Sequence, residues 1–253
     1  MRYSQSLSAP YLAVVILTLP AAFCRCNSDL AAAARLTDQQ LSACNDLDSG
    51  DVTPGGSRPG PAPDIQVCLL RGLDDVFSVG LDTLQAEMSA VGIDATVISG
   101  PDWETIGPQM EAKRAKEINP PDIVLIGHSY GSDDAVRLAT YLQGQNTPVR
   151  FLLLLDATDP PPIPSNVDRC LHLYNLWLPG DVAPDLFSGN PVVPAAGNAH
   201  TAITNEVVNP GNPDPALACV NHFNIDASTG IHKRIFDEIY ALQSPASQPS
   251  AGP

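Results

Sequence analysis

The stretch Asp122-Ile-Val-Leu-Ile-Gly-His-Ser-Tyr-Gly131 decides how the rest of the chain is read. After Asp122, its first half is an unbroken apolar run, 123–126, closed by a glycine, the pattern of a strand buried on both faces. Its second half sets Ser129 between Gly127 and Gly131. Residues 132–143 then carry Ala135, Leu138, Ala139 and Leu142 on one helical face. A serine on a sharp turn between strand and helix lifts its hydroxyl above the sheet, and flanking glycines let neighbouring backbone pass closely. The helix behind points its amino terminus at the serine, where developing negative charge is stabilised.

The same alternation recurs on either side. Apolar runs at 65–70, 95–98, 149–155 and, more weakly, 171–174 read as strands. Helical spacing appears at 80–91 (Leu81, Leu84, Met88), at 103–118, and at 231–242 (Ile231, Ile235, Ile239, Leu242). Short apolar strands alternating with helices predict an α/β fold, with a mainly parallel central sheet flanked by helices on both faces. Such a sheet carries its chemistry at the carboxyl ends of its strands, and Ser129 stands there.

Composition bounds the remainder. The chain has 253 residues, 44% hydrophobic and 16% charged, and residues 64–243 suffice for one domain with a real core. Residues 11–23 form an apolar run shorter than the roughly 20 residues of a membrane span. With Ala21-Ala22 after Pro20, it reads as the core and cleavage zone of a secretory signal. Residues 1–26 are therefore expected to be a signal peptide or N-terminal anchor, and the chain to be exported, periplasmic or secreted. Phe23 stands where a lipobox before Cys24 would need a small residue. Residues 27–63 read as a short helix and a Gly/Pro/Ser linker, and 244–253 as a disordered tail. None of the six cysteines has zinc-site spacing. An exported chain permits disulfides, with Cys170 and Cys219 as candidates, while Cys68 inside an apolar strand reads as core. A net charge of −15 leaves no basic face for nucleic acid, and an anionic substrate would meet an unfavourable field.

The Gly127-His128-Ser129-Tyr130-Gly131 elbow, in its setting of strand, turn and helix, resembles the α/β-hydrolase superfamily. The compact layout over 64–242 is similar to its lipase-like and thioesterase-like members, without the first two strands of the full superfamily sheet. The resemblance implies Ser129 as nucleophile and the chain order serine, acid, histidine. His128 is then the elbow's variable residue. His222, in a loop just before the last helix, is the expected base, with His200 as runner-up. His172 reads as structural within a strand, and His232 as a surface residue of the last helix. For the acid, Asp156 ends the strand 151–155 where thioesterase-like members carry theirs. Asp181 or Asp185, after the next strand, hold the position most other members use, and Asp159 is a further option. The oxyanion donors implied are the backbone amides of Tyr130 and of Leu73, after Gly72.

The activity implied is acyl transfer to water from a small-molecule carboxylic ester or lipid, with no metal or organic cofactor. Peripheral membrane or lipid contact, a thioester substrate and a non-catalytic binding module stand as alternatives. Residues 177–208, rich in Pro, Gly and Asn, are expected to form a lid or pocket wall, with Phe187, Val192 and Val193 facing an acyl chain or the core.

Overall fold

The computed structural model describes residues 61–72, 78–175, 190–208, 212, 217 and 220–243. Six strands form one sheet: β1 (Ile65–Arg71), β2 (Asp94–Ser99), β3 (Asp122–His128), β4 (Val149–Leu155), β5 (Val167–Tyr174) and β6 (Ala202–Val207). Every pairing is parallel, in the order β2-β1-β3-β4-β5-β6. Among the described residues four α-helices flank the sheet: α1 (Gly80–Ala90), α2 (Trp103–Arg114) and α3 (Tyr130–Gly144) between strands, and α4 (Thr229–Ala241) after the last.

The period of two along each strand divides the core into two layers. Val67, Leu69, Val124, Ile126, Phe151, Leu153, Leu155 and Leu171 face one side, where they meet Leu81, Leu84 and Met88 of α1 and Ile231, Ile235 and Ile239 of α4. Cys68, Leu70, Ile123, Leu125, Leu152, Leu154 and Cys170 face the other, against Met110 of α2 and Ala135, Leu138 and Leu142 of α3. Both faces are thus covered, which is why 123–126 of β3 and 151–155 of β4 are apolar consecutively rather than alternately. Each fully buried Leu, Ile or Phe contributes about 1.5–3 kcal/mol relative to exposure, and the two layers hold most of them.

The sheet grows in both directions from β1. The chain places β2 on one side, then returns to set β3 on the other and continues outward to β6. Between β1 and β3 the connections leave in opposite senses, and ligand sites of open parallel sheets form at the carboxyl ends there.

Three expectations need correction. The helix expected over 103–118 ends at Arg114, and Ile118 lies exposed just before Pro120-Pro121. The strand expected over 171–174 begins earlier, at Val167. Its polar start was hidden from an apolar count because Asp168 and Arg169 are held by ion pairs, to Arg150 at 3.1 Å and to Glu238 respectively. Within 177–208, residues 202–207 form β6 rather than a lid. This strand lies at the sheet margin and is half exposed, so it lacks the apolar run that marks its neighbours. The preceding segment is bonded down: Ile163 N–H donates to Val193 O, Ala195 N–H to Ile163 O, and Val192 N–H to Asn205 Oδ1. Val192 is buried in the core and Val193 is exposed, while Phe187 lies outside the described residues.

The expected leader, linker and tail also lie outside the described residues, except for 61–63. Among the described residues no helix is long and apolar enough to cross a membrane. Cys68 and Cys170 are buried free thiols, so Cys170 is not in a disulfide, and Cys219 lies outside the described residues. Burial pushes both thiols up to about 12, which keeps them protonated and inert.

Candidate active site

Ser129 closes β3 with φ 57° and ψ −129°, a backbone region that non-glycine residues rarely occupy. Such a conformation costs on the order of 1–3 kcal/mol and persists only where the surroundings hold it. Here Ser129 N–H donates to Leu155 O at 2.9 Å, and Ser132 N–H donates to Ser129 O at 2.9 Å. The Ser132 hydroxyl adds a bond to Gly127 O at 2.7 Å. The glycines are demanded by this turn. A Cβ on Gly127 would sit 2.3 Å from Gly131 O, and one on Gly131 would sit 2.2 Å from Leu70 O. Tyr130 is the first residue of α3, so its amide has no partner within the helix and faces the end of the sheet with the macrodipole behind it.

Asp156 follows β4, the neighbouring strand, and also has a positive φ of 47°. It is fully buried. Its Oδ1 accepts from Asn175 N–H at 2.8 Å, and its Oδ2 accepts from Asn175 Nδ2 at 3.0 Å. His222, in the loop before α4, places Nδ1 2.8 Å from the same Oδ2. Burial alone would raise the Asp156 carboxyl, but the hydrogen bond and charge of His222 and the Asn175 donors outweigh it and hold the group below its ordinary value. An ionised Asp156 accepts a hydrogen bond from His222 Nδ1–H.

The loop after Asp156 is tied to the start of α3. Asp133, buried in the first turn, accepts from Thr158 N–H at 3.1 Å and Asp159 N–H at 3.0 Å. Burial raises its carboxyl to about 6 against those bonds and Arg137. On the other side, His172 Nε2 accepts from Ala157 N–H at 3.3 Å and its Nδ1 faces Asn205 Oδ1 at 3.3 Å. Burial lowers His172 to about 4, so it stays neutral, as that pairing requires.

The structure therefore brings together Ser129, Asp156 and His222 at one end of the sheet. His222 is joined to Asp156 directly and abuts the elbow through its carbonyl, 2.8 Å from Nε2 of His128. Gly72, at the end of β1, completes the group, since a Cβ there would lie 3.0 Å from Ser129 Cβ. Leu73, Asp181 and Asp185 lie outside the described residues. Asp159 is exposed and contributes its amide to Asp133. His200 is also placed elsewhere: it is exposed and 3.1 Å from Asp168, near the amino end of β5 and so at the opposite edge of the sheet. His232 departs from expectation. It is buried rather than on the surface, with Nδ1 2.8 Å from Glu87 Oε2 and Nε2 donating to Asp226 O at 2.7 Å.

Sequence reasoning missed Ser78, Asn175 and the contacts of His128. Asn175 carries a usable signal, a polar residue directly after the apolar end of a strand. Ser78 had none.

No protein-family model and no curated protein matches the chain. Solved structures with a similar path include the RedJ thioesterase of the prodiginine pathway in Streptomyces coelicolor, with 12% identity and a TM-score of 0.45 over 76% of this chain and 95% of that one. Human thioesterase 2 is similar with 14% identity and a TM-score of 0.44, over 75% and 100% of the two chains. An α/β-superfamily hydrolase of Xanthomonas campestris pv. campestris shows 13% identity and a TM-score of 0.34, over 68% and 98%. By its own topology, a parallel sheet whose third strand leads into a strained serine turn and then a helix, the chain has an α/β-hydrolase-like fold.

Proposed function

We propose that this chain is a serine hydrolase that cleaves carboxylic esters through an acyl-enzyme. The observation that carries the reading is the buried Asp156–His222 pair, 2.8 Å apart, on the sheet edge where Ser129 is held in its strained turn. A serine hydroxyl needs a base to become nucleophilic at neutral pH, and the base needs a fixed tautomer. Asp156 holds the proton on Nδ1 of His222. Nε2 then takes the proton of Ser129 as its oxygen attacks the ester carbonyl. The amide of Tyr130 stabilises the oxyanion, with Leu73 as the second donor. Nε2 returns the proton to the leaving alcohol, and water releases the acid by the same steps in reverse order.

The acid's place supports a second reading. Asp156 follows the strand beside that of the serine, the position associated above with thioesterase-like members, so acyl thioesters are the alternative substrates. Export through residues 1–26 remains part of the proposal and favours esters, because coenzyme-A and carrier-protein thioesters are cytosolic. Contact with a lipid surface belongs to the same proposal. A non-catalytic module would have been favoured by a His222 with no carboxylate in reach, and Asp156 stands at 2.8 Å.

The test is labelling by a fluorophosphonate probe in wild type, Ser129→Ala and His222→Ala, followed by matched ester and thioester panels. Labelling lost in the first variant and sharply reduced in the second is expected. An unlabelled but folded wild type refutes the enzyme reading, and faster thioester turnover selects the second.

A further inference from the structure

His128 is the variable position of the elbow, and nothing in the mechanism above uses it. It is nevertheless fully buried, and both of its ring nitrogens are engaged. Nε2 lies 2.8 Å from the carbonyl oxygen of His222, so it must carry the proton and donate. Nδ1 lies 2.8 Å from the Ser78 hydroxyl. That hydroxyl accepts from Gly72 N–H at 2.9 Å, which leaves its own proton for Nδ1. One neutral imidazole thereby connects two loops. One carries the proposed base; the other runs from β1 to α1 and holds Gly72 against Ser129. The His128 and His222 rings also lie tilted against each other, with centroids 5.2 Å apart.

We propose that His128 is a positioning residue. It fixes the backbone of His222 through its Nε2 proton, and it links that loop through Ser78 to Gly72, the residue before the proposed oxyanion donor Leu73. The inference rests on the serine-hydrolase reading. The chain of bonds has one polarity throughout: Gly72 N–H to Ser78 Oγ, Ser78 O–H to His128 Nδ1, His128 Nε2–H to His222 O. A charged imidazole would break it at Nδ1, and burial, aided by the nearby His222, keeps His128 neutral by lowering it to about 4. The residue departs from the strand end directly before the nucleophile, so the base is registered against the serine's own backbone rather than against a distant loop.

The experiment compares wild type with His128→Phe, which removes both bonds, His128→Gln, which keeps a donor, and Ser78→Ala, a smaller change should His128→Phe not fold. Turnover of the best ester is measured alongside the downfield proton resonance of His222 Nδ1–H. A misplaced base lowers kcat by about 100-fold in His128→Phe, and Ser78→Ala should lie between it and wild type. The expected signature has KM within about 2-fold, partial recovery in His128→Gln, and a shifted or broadened His222 resonance in His128→Phe and Ser78→Ala but less so in His128→Gln. Wild-type kcat and an unmoved resonance in folded His128→Phe or Ser78→Ala would overturn the proposal. If the wild type hydrolyses nothing and takes no probe, the enzyme reading fails on its own, and the resonance still decides whether His128 sets the placement of His222.

Discussion

Acid stability is where the buried histidines should make themselves felt. His172 is lowered from an ordinary 6.5 to about 4, chiefly by burial, with the charge of Asp156 and the Asn205 bond opposing. Between those two values the unfolded chain binds a proton at this position and the folded chain does not. Its contribution is therefore fully present above pH 6.5 and is lost as the pH falls toward 4. The gap of about 2.5 units (6.5 − 4), at about 1.36 kcal/mol per unit, gives about 3 kcal/mol. His128 acts in the same sense. Asp133, raised from 3.8 to about 6 mainly by burial, acts in the opposite one, because its folded form keeps a proton that the unfolded form has released. Asp134 and Asp226 are also raised, so the wild-type pH curve is a sum of opposing parts. The variant His172→Gln isolates one of them. Urea unfolding at pH 7 and pH 4 gives each protein a fall in stability, and any constant cost of the substitution cancels from that fall. The fall should be about 3 kcal/mol smaller in His172→Gln than in wild type. Equal falls would refute the argument that this imidazole is kept neutral by burial.

Other substitutions follow from the same geometry. Asp156→Asn can keep an oxygen toward Asn175 N–H but sets an amide against His222 Nδ1; the wrong tautomer should lower kcat by about 10³–10⁴-fold, read by steady-state ester hydrolysis with the melting temperature as control. Gly131→Ala drives a methyl to 2.2 Å from Leu70 O, a backbone atom that cannot turn aside, and should destabilise by about 3 kcal/mol or more, seen as a lower midpoint in urea. Leu153→Ala, at the centre of the layer beneath α1 and α4, should cost about 2–5 kcal/mol with probe labelling of Ser129 retained below the melting point.

How much of this could be read from the chain depends on where each residue sits in the sheet. Central strands, covered on both faces, announce themselves: 123–126 and 151–155 are apolar without interruption, and the elbow stands where one of them must end. Margins do not. The strand Ala-Ile-Thr-Asn-Glu-Val over β6 has one neighbour and one wet side, so burial never selected a pattern there. The same reason hid the polar start of β5, whose charges are satisfied by partners on β4 and α4. At the site, Ser129 was legible because its constraint is steric and local. His222 and Asp156 were legible only through an implied chain order, and their union across 66 positions is a fact of packing. Ser78, Asn175 and the work of His128 are matters of hydrogen-bond completion. No spacing rule encodes them, because any buried donor finds whichever acceptor the fold presents.

The strand order also has a consequence in time. The proposed base, His222, belongs to a loop that follows the outermost strand, and its carbonyl reaches the elbow across a separation of 94 positions from His128. During synthesis the serine emerges well before His222, which follows it by 93 positions (222 − 129). Parallel strands with long crossovers pair slowly because loop closure must come before their contacts form. A half-made chain, or one whose margin strand has peeled away, therefore presents a serine without its histidine. Reactivity toward a covalent probe would then serve as a clock for folding, starting only when the far edge of the sheet has closed.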